Sequence, residues 1–152
     1  MARLFLVFCL LFSGIASAKE GDVAVQVRTI AHHFDGGDSN DNIPGLGIEY
    51  EAWDRVKLGY IHGRNSMTTV RYSNYLSAQY VWFRNKEWDV GTVVSVADNY
   101  RTRYVHDDTK TLVSFQGCNN TTERLQVCGI YNAYATGTYT PSVALLFKFR
   151  IN

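Results

Sequence analysis

What this chain lacks narrows it quickly. Its formal net charge is only +1 and no basic run interleaves with the aromatics, which excludes electrostatic capture of nucleic acid. Proline is scarce, two residues against ten Tyr, eight Phe and three Trp, and that balance leans toward β-structure. No helical periodicity appears beyond the N-terminal segment. No second apolar run is long enough to cross a bilayer as a helix, which takes ~20 residues. Cysteine is limited to Cys9, Cys118 and Cys128. At 152 residues the chain is one domain on ordinary size priors.

The N-terminus reads as a secretory signal peptide over residues 1–18. Met1-Ala2-Arg3 supplies the positive start, Leu4 to Phe12 the apolar stretch, and Ala16-Ser17-Ala18 the small-residue cleavage site. Cleavage after Ala18 removes Cys9 and leaves residues 19–152 as a single exported domain. Cys118 and Cys128 then remain in an oxidising compartment, where a disulfide is the default. No His lies near that pair, which argues against a metal site.

The rest is organised around Ile43 to Ser66. Leu46, Ile48, Tyr50 and Ala52 alternate with Gly47, Glu49, Glu51 and Trp53; Asp54-Arg55 turns; then Val56, Leu58 and Tyr60 alternate with Lys57, Gly59 and Ile61. This is a β-hairpin with one apolar face and one face of glycine and charge. The same period recurs. A strand runs from Asp22 to about Phe34, with Val23, Val25 and Val27 opposite Gln26 and Arg28. Others are expected over Arg71 to Phe83, Trp88 to Ala97, Thr109 to Gly117, Arg124 to about Tyr134, and Ser142 to Arg150. Polar loops intervene at Asp35 to Asn42 and Asp98 to Asp108.

Eight strands of roughly ten residues predict an eight-stranded antiparallel transmembrane β-barrel; the alternative is a soluble barrel or sandwich. The polar face decides between them. It mixes Gly47, Gly59, Gly91, Ser73, Ser77 and Ser95 with Glu49, Glu51, Lys57 and Lys148, which suits a crowded interior better than a solvated exterior. Tyr and Trp near strand ends suit interfacial girdles. An even strand count puts both termini and the short turns at Asp54-Arg55 and Arg84 to Glu87 on the periplasmic side, with the longer loops outside. The cysteine pair then clips a periplasmic hairpin. Such barrels usually end on an aromatic residue, whereas Arg150-Ile151-Asn152 follow Phe149 here.

In this topology His32-His33 and Asn65-Ser66 meet at the outer rim. A His beside a Ser hydroxyl is the minimum for base-assisted acyl transfer, and Asn can orient the His or donate to an oxyanion. The plain reading is that these are ordinary rim and turn residues. Ile61, Val93 and Ala97 point inward and permit an apolar upper lumen above a polar floor. His62 and His106 are isolated. Asp38, Asp41, Asp107 and Asp108 are solvated loop carboxylates or ligands for a divalent ion at a lipopolysaccharide surface. Asn119-Asn120-Thr121-Thr122 forms glycosylation sequons that, in a bacterial-type exported chain, read as a polar turn.

Several short motifs resemble the outer-membrane lipid A palmitoyltransferase family and its small relatives in bacteria and phages. They are Ile30-Ala31-His32-His33-Phe34, Pro44-Gly45-Leu46-Gly47 with Trp53-Asp54, Gly63-Arg64-Asn65-Ser66, and Val96-Ala97-Asp98-Asn99-Tyr100. The likeness covers roughly Val23 to Tyr100. It implies a barrel that moves a palmitoyl chain from phospholipid to lipid A, using a His of the first outer loop region and an Asp-Ser pair after the third strand. By position His32 or His33 stands for the His, Asn65 for the Asp and Ser66 for the Ser. Asn65 departs from the pattern because it cannot act as a carboxylate. The family's amphipathic N-terminal helix also has no counterpart before the first strand.

The expectation is therefore a monomeric outer-membrane barrel of a Gram-negative bacterium, working on phospholipid and lipid A without a cofactor or metal. The rival expectation is a non-enzymatic barrel, of the kind a phage could encode to alter its host, whose outer loops bind or mask something at the cell surface. A soluble periplasmic ligand-binding barrel is the third class.

Overall fold

Strand pairing follows from the alternation just described. In the computed structural model, which describes residues 21–34, 41–66, 72–99, 109–136 and 141–151, eight strands close in sequence order into one antiparallel barrel. They are β1 (Val23–His33), β2 (Asn42–Trp53), β3 (Val56–Arg64), β4 (Tyr72–Arg84), β5 (Trp88–Ala97), β6 (Lys110–Asn120), β7 (Leu125–Ala135) and β8 (Ser142–Arg150). Pairing of β1 with β8 closes the sheet, from Ala24 opposite Arg150 to His33 opposite Ser142. No sheet edge is left open, and no helix is present among the described residues. One end carries the short turns and the chain ends described here, Gly21 and Ile151. The other receives the longer connections. We call these the turn end and the loop end.

Side chains sort across the wall as the period-two pattern demands. The exterior carries large apolar groups in the open: Leu46, Ile48, Val94 and Phe115 around the middle. Trp53, Tyr80, Trp82, Phe83, Trp88 and Phe149 cluster toward the turn end, and Phe34, Tyr72 and Tyr134 toward the loop end. An exposed belt of this kind, bounded by aromatics on both sides, is the surface a barrel turns toward lipid. The lumen is the reverse: Gln26, Glu49, Lys57, Gln79, Asp89, Gln116, Gln126 and Lys148 are all buried.

Buried charge is costly unless paired, and here it is. Near the turn end Lys148 Nζ donates to Glu49 Oε2 at 2.5 Å, and Lys57 Nζ to Asp89 Oδ2 at 2.9 Å. Arg84 donates to Asp89 Oδ1 at 3.0 Å and to Glu51 Oε1 at 2.6 Å. Gln26 Nε2 adds a bond to Glu49 at 3.1 Å. Lys57, Arg84 and Lys148 balance Glu49, Glu51 and Asp89, giving a neutral cross-linked floor.

Bulges change three details of the sequence reading. Between β2 and β3 the register slips between Glu51 and Trp53. The extra residue sends Ala52 inside, fully buried, and Trp53 out to the aromatic belt, the reverse of strict alternation. A slip between Val81 and Phe83 leaves both Trp82 and Phe83 outside. A slip after Arg28 in β1 shifts the phase before the two histidines. The Cys118–Cys128 disulfide forms as expected, but it does not lie in the turn. The two residues are directly paired across β6 and β7 and face the lumen with no exposed surface, against Leu146.

Candidate functional site

The loop-end half of the lumen holds a cavity of about 150 Å³. Its apolar lining includes Ala31, Ile43, Ile61, Tyr75, Val93 and Leu112, as the inward positions of Ile61 and Val93 anticipate. Ala97 is fully buried behind it, packed with Tyr75. Arg28 crosses this region. Its guanidinium lies over the Tyr75 ring at 4.3 Å and donates to the carbonyls of Ile43 at 3.1 Å and Arg64 at 2.7 Å. It thereby ties the start of β2 to the end of β3.

Alternation along β1 sends the two histidines to opposite faces, and the bulge after Arg28 sets which one faces in. His32 turns outward, its side chain 67% exposed and edge-on to Phe34. His33 turns inward with a side chain only 9% exposed, and it lines the cavity. Asp41, just before β2, reaches both: its carboxylate lies 3.1 Å from His33 Nδ1 and 3.5 Å from His32 Nδ1. A carboxylate only accepts, so the proton of His33 sits on Nδ1 and Nε2 is left as the basic nitrogen. The His33 hydrogen bond in turn holds the Asp41 carboxyl below the usual carboxylate range. An imidazole fixed in tautomer and direction by a carboxylate is the arrangement a general base requires.

Ser66 lines the same cavity as His33. Asn65 does not join them. It is almost fully buried, and its Nδ2 donates to Ser73 Oγ and to the Asn99 carbonyl, both at 3.1 Å. Those bonds fix the end of β3 against β4 and the segment after β5. Asn65 thus anchors the chain just before Ser66. His33 and Ser66 line one cavity, His32 lies outside it, and Asn65 is bonded to Ser73 and the Asn99 carbonyl.

The pairing of Asp41 with His33 is not anticipated from the sequence, where Asp41 is grouped with the loop carboxylates. Its signal was local: a carboxylate eight residues after His33, at the start of the next strand, faces its partner across a hairpin. Asp38, His106, Asp107 and Asp108 lie outside the described residues. Among the described residues no group of three or more His, Cys, Asp or Glu is placed to hold a metal ion.

No protein-family model and no curated protein matches the chain. Solved structures do. The N-terminal β-barrel domain of Pseudomonas aeruginosa OprF superposes with a TM-score of 0.63 at 15% identity, over 86% of this chain and 99% of that one. A structure described as de novo design of transmembrane β-barrels gives 0.64 at 13% identity, over 88% and 98%. The solution structure of the de novo designed TMB2.3 gives 0.63 at 10% identity, over 87% and 95%. At such identities the likeness speaks for the fold alone: this chain has the fold of the small eight-stranded transmembrane barrels.

Proposed function

We propose that this is an exported, monomeric barrel of the outer membrane that transfers an acyl group between lipids at its loop end, phospholipid serving as donor and lipid A as acceptor. The observation that carries the reading is His33, held by Asp41 and facing the same cavity as Ser66. In this scheme His33 Nε2 takes the proton of the lipid A hydroxyl as its oxygen bonds to the phospholipid ester carbonyl beside the Ser66 hydroxyl; the ester C–O bond to glycerol then breaks, and His33 returns the proton to the departing lysophospholipid oxygen. The apolar lining of the cavity receives the first carbons of the acyl chain, and the neutral floor closes the lumen below.

One observation favours a second reading. A cavity of about 150 Å³ is the size that takes a benzene molecule, well short of a palmitoyl chain. A barrel with a closed lumen, acting through its outer loops, fits that size without rearrangement. Mass spectrometry of lipid A from Gram-negative cells expressing the parent, His33→Ala or Ser66→Ala decides. Acyl transfer gives an acyl-sized mass gain with the parent that falls by about 10²–10⁴-fold in His33→Ala. No gain from a folded, membrane-inserted parent rejects transfer to lipid A and favours the surface barrel.

A further inference from the structure

The cavity holds a cation that the proposed chemistry does not use. Arg28 is an inward residue of β1, paired with Gly45 on β2 and Leu146 on β8, and only 7% exposed. A guanidinium stays charged wherever it lies, and a buried charge is costly without a counter-charge. Among the described residues no carboxylate reaches Arg28. Its partners are the carbonyl oxygens of Ile43 and Arg64 and the Tyr75 ring. Glu49, the one carboxylate among the described residues lining the cavity, is taken by Lys148 and Gln26. Asp41 is taken by the two histidines.

The two carbonyls take Nε and Nη2 of Arg28. Nη1 enters neither bond, and the polar side-chain atoms sealed away without a partner among the described residues are Arg64 Nε, Gln79 Nε2 and Arg84 Nη2 instead. The Nη1 N–H groups therefore open on the cavity that Arg28 lines. Lys110, paired with Ala97 near the loop end, lines the same cavity, so a group entering it meets two cations. Apolar surface adjoins them. Ala31, Ile43 and Ala144 pack as one cluster, and Tyr75 belongs to a second with Ile61 against it. Arg28 joins the two, bonded to the Ile43 carbonyl and covering the Tyr75 ring.

We propose that this cavity binds a small organic anion, a carboxylate with a short apolar body. The carboxylate accepts from Arg28 Nη1 and supplies its counter-charge, and the body lies against Ala31, Ile43 and Ala144. A cavity of about 150 Å³ suits a benzene-sized body. The proposal rests on the closed lumen and on neither membrane insertion nor acyl transfer, so it stands even where lipid A gains no acyl chain.

The test uses the full chain refolded in a non-ionic detergent at neutral pH, read by fluorine NMR against detergent alone. The probes are a fluorine-labelled benzoate and the matching benzamide, its neutral counterpart. The anion binds about tenfold tighter than the amide, the worth of one hydrogen bond to a charged group. Arg28→Gln removes that preference. Ala144→Leu, which fills the cavity and leaves Arg28 in place, abolishes binding of both probes, and Phe115→Ala, on the outer wall, changes neither. Inorganic phosphate, an anion without an apolar body, displaces the benzoate only in large excess. Equal binding of the two probes, a preference that survives Arg28→Gln, unchanged binding in Ala144→Leu, or displacement by an equal concentration of phosphate each overturns the proposal. If Arg28→Gln does not refold, the parent's preference together with the Ala144→Leu result decides.

Discussion

Glu49→Gln tests the charged floor most sharply. Lys148 has no exposed surface, and Glu49, at 2.5 Å, is its only anion at salt-bridge distance among the described residues. Glu49 also accepts from Gln26 and lies 3.8 Å from Lys57. Glutamine keeps the size but removes the charge, leaving a buried ammonium facing an amide. Breaking one member of such a pair costs about 3–5 kcal/mol, and Lys57 keeps Asp89, so the loss falls mainly on Lys148. The double variant Glu49→Leu, Lys148→Met removes both desolvation penalties and should cost less than Glu49→Gln alone. The assay is urea unfolding of the barrel in lipid vesicles, followed by tryptophan fluorescence. As a reference, the partly exposed Arg150–Asp22 pair at 3.8 Å should contribute under about 1 kcal/mol. A Glu49→Gln loss no larger than this reference, or a double variant weaker than the single, would refute the reasoning.

Three further outcomes follow from the same structure. An added Cβ at Gly47 would stand 2.0 Å from the Tyr60 carbonyl oxygen, and at Gly91 2.3 Å from that of Tyr80, whereas Gly117 and Gly129 have nothing within 4 Å; Ala at the first two should abolish folding into vesicles, and Ala at the last two should leave it unchanged. Replacing Cys118 and Cys128 by Ala frees a loop spanning a separation of 10 residues and should lower the unfolding free energy by about 2–3 kcal/mol, read from the shifted urea midpoint. The Asp41 carboxyl is depressed when folded, so its contribution is present above the ordinary value near 3.9 and lost as pH falls through the lower folded value; the His33 ring signals in NMR should shift in that acidic window in the parent and not in Asp41→Asn.

Strands were legible where the alternation was unbroken. Trp88 to Ala97 and Ser142 to Arg150 have the bounds read from sequence, because every second residue there is clearly apolar. The sixth strand was read as Thr109 to Gly117 and runs Lys110–Asn120; Thr111, Leu112 and Val113 alternate weakly, and Asn119 and Asn120 look like turn residues. The bulges were not legible. Each adds a residue at no compositional cost and reverses every side chain beyond it, so alternation alone put Trp53 on the face of Glu49 and Glu51 and left the choice between His32 and His33 open. The rim was half legible: spacing brought His and Ser to one end, but it did not show that Asn65 is buried against Ser73 and the segment after β5. Asp41 was visible only as a loop carboxylate until the hairpin placed it.

The central claim is that the apolar exterior lies in lipid and the charged groups lie within. The three tryptophans, Trp53, Trp82 and Trp88, are all exposed on the outside near the turn end. Quenching of their fluorescence in vesicles by lipids brominated at different depths along the chain therefore reads the claim directly. A lipid-facing exterior gives strong quenching by bromines near the headgroup, weak quenching by bromines at the bilayer centre, and poor access for acrylamide. Full acrylamide access with no quenching by any brominated lipid would contradict it.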